Sequence, residues 1–137
     1  MPNRKDRVIL DTNLWISLLL TKNFAKFDKI IDTSEVVLVF SDELMNELIE
    51  VSQRKKFQKY FALEDIDKLL ILIQNKADFI KVKSSVVLCR DSKDNFLLSL
   101  AIDGRASHLI TGDKDLLIIE EYERTTILSM ADYLKSK

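Results

Sequence analysis

The chain reads as an α/β protein built on a mostly parallel central sheet with helices on both faces. Three observations predict this. Short β-branched runs alternate with longer stretches of helical periodicity, the pattern of strand–helix–strand crossovers. The 137 residues, 47% hydrophobic and 31% charged, match one ordinary globular core. Two Gly and one Pro leave no room for a flexible linker, and no internal repeat is visible, so 1–137 reads as a single domain.

The elements follow in order. Strands are expected near residues 7–10, 36–40, 79–82, 108–111 and 126–128, each apolar and rich in Val, Ile or Leu. Helices are expected near 14–20, 25–33, 42–53, 64–76, 93–103 and 130–135, with a short helical segment at 114–119. Residues 84–89 read either as a loop or as a further extended piece. In an open sheet of this kind, sites form at the carboxyl ends of strands where the strand order reverses. The acids can be tested against that rule.

Asp11 ends the stretch Val8-Ile9-Leu10-Asp11-Thr12-Asn13, directly after the first strand. It is either a helix cap, a role Asn13 could also fill, or a carboxylate aimed into a site. Asp113 follows Ile110-Thr111-Gly112 in the same position relative to a later strand, with Asp115 two residues on. Gly112 would permit a tight or left-handed turn there. Asp94 shares a helix face with Leu97, Leu98 and Ala101, and a carboxylate on a buried stripe is costly unless something pairs with it. The alternative for Asp94 is a capping arrangement within Asp91-Ser92-Lys93-Asp94. On the helix at 42–53, Asp42 falls in the first turn, where the helix dipole explains it, and Glu43 and Glu50 point away from the apolar arc. Glu47 borders that arc.

Each acid has a dull explanation alone. Together, carboxylates from separate segments meet at one sheet edge, and like charges that close destabilise one another. A hard divalent cation, Mg²⁺ or Mn²⁺, would cancel that cost. The chemistry that is missing narrows the use. His108 is the only histidine, which excludes a two-histidine ribonuclease and a histidine-rich zinc site, and its place in a strand suits a structural role. Neither a phosphate-binding GxxxxGK[ST] loop nor a GxSxG elbow occurs. The single Cys89 allows no internal disulfide and fits a small core residue in a reducing compartment. Phosphodiester hydrolysis is the natural use of an acidic metal site.

These motifs resemble a known family. Asp11-Thr12-Asn13 after an apolar strand, the helix carrying Glu47, Arg90-Asp91-Ser92-Lys93-Asp94-Asn95, and Thr111-Gly112-Asp113-Lys114-Asp115 are similar to those of PIN-domain nucleases, and more narrowly of PIN-family toxins of toxin–antitoxin pairs. The resemblance implies a three-layer α/β/α sandwich and a Mg²⁺- or Mn²⁺-dependent endoribonuclease. It implies Asp11, Glu47, Asp94 and Asp113 as catalytic and metal-binding acids, with Asn13 and Thr111 in support. Asp91 competes with Asp94, and Asp115 is a second candidate beside Asp113.

A net charge of −1 argues against a generic electrostatic nucleic-acid binder, so an RNA surface must be local. The densest cationic run is Arg54-Lys55-Lys56 with Lys59, interleaved with Phe57 and Tyr60; it reads either as an RNA path or as an ordinary solvated helix end. The helix at 64–76 carries more apolar residues than one buried stripe needs, which suggests a homodimer or an antitoxin contact beyond core burial. No apolar run is long enough to span a bilayer and the basic start is not a signal peptide, so the expected location is cytoplasmic.

Competing functions fare less well. A dehalogenase-like phosphatase needs a second Asp where Asn13 stands, and a receiver domain needs an acidic pair after the first strand. The remaining alternative is a non-catalytic PIN-like domain that binds RNA or protein.

Overall fold

A computed structural model describes residues 5–21 and 35–136. The helix expected at 25–33 lies outside the described residues. Strand β1, Asp6–Leu10, is followed by α1, Thr12–Thr21, and by β2, Val36–Phe40. Helix α2, Asp42–Ser52, leads through a 3₁₀ turn, Lys55–Phe57, to α3, Leu63–Lys76, and to β3, Asp78–Phe79. Then come α4, Ser92–Asp103; β4, His108–Ile110; α5, Lys114–Leu117; the hairpin of β5, Glu121–Tyr122, and β6, Thr125–Leu128; and α6, Met130–Lys135.

Among the described residues, six strands lie in the order β3-β2-β1-β4-β6-β5, parallel except for β5 against β6. Helices cover the sheet in a three-layer α/β/α arrangement. Val8, Ile9 and Leu10 at the centre are almost wholly buried, because strands sandwiched between helices expose neither face. Chain order runs outward from β1 to β2 and β3, then returns to β4 on the other side of β1. The reversal opens a crevice between the carboxyl ends of β1 and β4. Asp11 closes the strand end there, its N–H bonded to the Ile110 carbonyl at 3.2 Å.

The helices are fixed by local chemistry and by packing. Ser41 caps α2 by accepting from the Leu44 N–H at 3.1 Å, and Asp91 caps α4 by accepting from the Lys93 N–H at 2.9 Å. Trp15 of α1 packs on Phe40 with ring centroids 5.7 Å apart. At the end of α4, Gly104 is required by space: a Cβ would lie 2.6 Å from Val39 Cγ1 and 2.9 Å from the Leu100 carbonyl. The left-handed residue that terminates the helix is therefore Arg105, at φ 52°.

Three sequence expectations change. The strand expected at 79–82 pairs only over Asp78–Phe79, extended by one bond from Ile80 N–H to the Phe40 carbonyl. The antiparallel β5 was not expected: two residues carry no periodicity, and its turn places Glu123 at φ 52° without a glycine to announce it. Gly112 does not take a positive φ, and a Cβ there would meet nothing within 4 Å.

The ambiguous segment at 84–89 is an extended strap without a ladder of its own. Side chains of α4 serve its backbone instead. Asp103 accepts from the Lys83 and Ser84 N–H groups at 2.6 and 2.7 Å and from the Ser84 hydroxyl at 2.5 Å. Ser99 accepts from Val86 N–H at 2.9 Å, and Asn95 accepts from Leu88 and Cys89 N–H at 3.0 and 2.7 Å. Asn95, Ser99 and Asp103 stand four residues apart on one helix face, so their spacing matches an extended chain running past it.

Candidate metal centre

Asp11 caps its helix and also reaches the crevice. Its Oδ1 accepts from the Leu14 N–H at 2.8 Å, so Asp11, not Asn13, caps α1; Asn13 sits exposed in the first turn. Its Oδ2 accepts from the Thr111 hydroxyl, which ties the ends of β1 and β4 together across the crevice. Only 6% of the residue is exposed. Burial pushes its pKa up, the bonds from Thr111 and Leu14 pull it back, and the charge of Asp113 raises it again.

Glu47 reaches the crevice from the middle of α2. Its Oε2 accepts from the Thr12 hydroxyl at 3.1 Å, and its Oε1 meets the Lys93 ammonium at 3.1 Å. Asp94 enters from the first turn of α4, buried beside Leu97, Leu98 and Ala101 as its helical spacing predicted. Capping falls to Asp91, which leaves Asp94 facing inward. Its Oδ2 is buried with no hydrogen-bond partner among the described residues. Burial, then a hydrogen bond with Asp113, then the charges of Asp113, Asp91 and Asp115 push its pKa up to about 7.

Asp113 sits just past β4. Its N–H donates to the Thr111 hydroxyl at 3.0 Å, and its Oδ1 accepts from Asp115 N–H at 2.8 Å, capping α5. Asp94, Asp113 and Asp115 each offer a carboxylate oxygen, and these oxygens lie within 4.8 Å of one another. Asp115 is also held at the surface by Arg90, at 3.2 Å.

A cavity of about 220 Å³ collects the result: Asp11, Glu47, Asp91, Asp94 and Asp113 line it, together with Asn13. The structure thus brings together all four principal acids singled out in the sequence, from four separate segments. Asp115 stands beside that cavity rather than in its lining. An all-oxygen donor set with an unpartnered buried carboxylate oxygen fits a hard divalent cation. Cys89 is not among the residues lining the cavity, and burial and the surrounding acids push its thiol up.

The cationic run divides. Arg54 and Lys56 line the acidic cavity, whereas Lys55 and Lys59 stand exposed away from its lining. Arg54 pairs with Glu50 at 3.1 Å, and the Lys56 ammonium lies 5.0 Å over the Phe57 ring. Phe57 stacks on Phe61 with centroids 5.3 Å apart and packs toward the core, while Tyr60 remains 60% exposed. Two members of the site had no role in the sequence reading. Thr12 was visible only as the middle of Asp11-Thr12-Asn13, and Lys93 only as a cation between two acids; their partner Glu47 is remote in sequence.

The chain matches the family model of the PIN domain over residues 7–115. It is similar to the uncharacterized protein MJ1680 of Methanocaldococcus jannaschii, with 30% identity over 124 residues that cover 88% of this chain and 79% of that protein. Its fold is similar to the crystal structure of PAE2754 from Pyrobaculum aerophilum, with a TM-score of 0.59, 11% identity and 96% of each chain covered. Among the described residues, no helix is long and apolar enough to cross a membrane.

Proposed function

The chain belongs to the PIN-domain family, whose members are generally nucleases, and from that premise we propose that it is a Mg²⁺- or Mn²⁺-dependent endoribonuclease, the toxin of a toxin–antitoxin pair. The observation that carries the reading is the convergence of Asp11, Glu47, Asp94 and Asp113 on one cavity, with one Asp94 oxygen buried and unpartnered. Asp94, Asp113 and Asp115, whose carboxylate oxygens lie within 4.8 Å of one another, would hold the cation, with Asp11 and Glu47 of the cavity completing the set and Asp91 flanking it. When bound, a divalent cation would cancel charge among the acids and supply Lewis acidity toward a phosphodiester. Thr111 holds the Asp11 carboxylate in place, Thr12 holds Glu47, and Asn13 offers an amide at the rim.

The substrate reading rests on cations beside the acids. Arg54, Lys56 and Lys93 line the same cavity, so a phosphate drawn to the rim arrives next to the carboxylates. Lys55 and Lys59 extend that surface outward. Leu63 and Ile71 on α3, 70% and 57% exposed, support a contact with an antitoxin or a second copy of the chain.

The test is direct. Purified protein with Mn²⁺ should cut single-stranded RNA, with chelator should not, and Asp11→Asn and Asp94→Asn should lose the cut while remaining folded. Expression of wild type alone should slow bacterial growth, and the same two substitutions should relieve it. Equal toxicity of wild type and both variants at matched protein levels would sink the toxin reading, and RNA bound but never cut would favour a non-catalytic binding domain.

A further inference from the structure

Among the cations that line the acidic cavity, Lys93 is distinguished by its partner. Arg54 is engaged by Glu50, outside the site, and Lys56 lies over Phe57. The Lys93 ammonium instead sits 3.1 Å from Glu47 Oε1, on one of the site's own acids. Glu47 is thereby fully served without a metal, because Thr12 already occupies its other oxygen. Asp94 has no such service, and its Oδ2 lies buried without a partner in the same cavity.

The local structure explains why Lys93 can do this and also let go. It stands in the first turn of α4, between Asp91, whose side chain accepts the Lys93 N–H, and Asp94. Its backbone is therefore pinned at the mouth of the cavity. Its side chain is 61% exposed, so the ammonium stays largely hydrated and can swing at little cost. An ion pair this exposed is weak, because water screens it and the long side chain is free to move.

We propose that Lys93 is an exchangeable counter-ion: it holds Glu47 while the acids lack a metal, and it binds a substrate phosphate once they are loaded. The inference rests on the nuclease reading for the identity of the phosphate, but the exchange itself concerns only Lys93, Glu47 and the cation. Loading removes the carboxylate's need for the ammonium and leaves a free cation at the rim, pinned by the same helix turn that delivers Asp94. RNA contact through Lys93 is therefore conditional on metal. Contact through Lys55 or Lys59, which touch none of the site's acids, is not.

Two measurements that need no cleavage test the exchange. In Mn²⁺ titrations of RNA-free protein by calorimetry, Lys93→Gln should bind the metal about twofold to fivefold more tightly than wild type, since a competing cation is gone. In binding titrations with phosphorothioate single-stranded RNA, Lys93→Gln should weaken binding in Mn²⁺ and lower the salt slope by about 0.7, the value for one lost phosphate contact. In chelator it should change neither. Lys93→Arg should restore most RNA affinity in Mn²⁺. Looser metal binding in Lys93→Gln, or an equal loss of RNA affinity with and without metal, would overturn the proposal. Wild type that binds Mn²⁺ and RNA but never cuts would refute the nuclease reading and leave the exchange standing on these two titrations.

Discussion

Asp94 and Asp103 stand at opposite ends of α4 and differ in almost everything but chemistry. Asp103 accepts from two backbone N–H groups and a serine hydroxyl of the strap, and these bonds, the Ser84 hydroxyl first, hold its pKa below the usual carboxylate value. Asp94 is more deeply buried, keeps one oxygen without a partner among the described residues, and has its pKa pushed up to about 7 by burial and by Asp113. One helix thus carries a carboxylate that completes the fold and a carboxylate that the fold leaves unsatisfied. Buried polar groups are nearly always paired, so the unpaired one marks where the protein expects something from outside. The contrast follows the faces of the helix: Asn95, Ser99 and Asp103 serve the strap's backbone from one face, and Asp94 faces the cavity from another.

The largest effect should come from removing the unsatisfied acid. Asp94→Asn is expected to cut metal-dependent RNA cleavage about a thousandfold, a loss of several kcal/mol of charge stabilisation, in a steady-state assay. The same substitution should leave the metal-free protein no less stable than wild type, because it removes a buried charge while the Asn amide can still donate to Asp113. A clear drop in metal-free melting temperature would erase the distinction from Asp103.

Asp103→Ala should behave in the reverse way. It strands two backbone N–H groups and a hydroxyl, and should lower unfolding stability by about 2 kcal/mol in urea melts. The stabilisation that Mn²⁺ confers on the remaining folded protein should be unchanged. A weakened metal response would mean that the strap and the acidic cavity are one unit.

A third test uses pH. Asp94 has a folded pKa raised above its unfolded value, so the folded state holds the extra proton between about pH 4 and pH 7. Its contribution to stability is present below that window and is lost as pH rises through it; buried Asp11, also raised, adds to the loss. Asp103, with a lowered pKa, contributes above its unfolded value and loses that contribution as pH falls. Metal-free melts from about pH 2 to pH 8 should therefore flatten in Asp94→Asn between about pH 4 and pH 7, and in Asp103→Ala below about pH 4. In wild type, Mn²⁺ binding at pH 6 should release protons, readable as a buffer-dependent heat.

The smallest effect is Ser84→Ala, which removes one of the three donors to Asp103 and should cost about 1 kcal/mol without altering metal binding. A cost as large as that of Asp103→Ala would make the hydroxyl, rather than the carboxylate, the anchor of the strap.

Much of this was legible in the sequence because it is local. An apolar run ending on Asp11 or on Thr111-Gly112-Asp113 reports a strand end whatever the rest of the chain does, and parallel topology then sends both acids to the same edge. The spacing of Asp94 with Leu97, Leu98 and Ala101 placed it on the buried face of a helix, and it is there. What the sequence by itself determined, then, was the α/β class, the extent of the main described helices and where Asp11, Asp94 and Asp113 fall on them and on the strand ends, since periodicity and strand ends depend on neighbours a few residues away. Tertiary structure alone decided who serves whom. Thr12 and Lys93 meet at Glu47, Asn95, Ser99 and Asp103 take the strap's backbone, and β3 and β5 pair over only two residues each. The contacts at Glu47 and in β3 join residues far apart in the chain, those of the strap and of β5 bridge shorter loops, and the geometry of all of them is set by how elements pack, which no local pattern encodes.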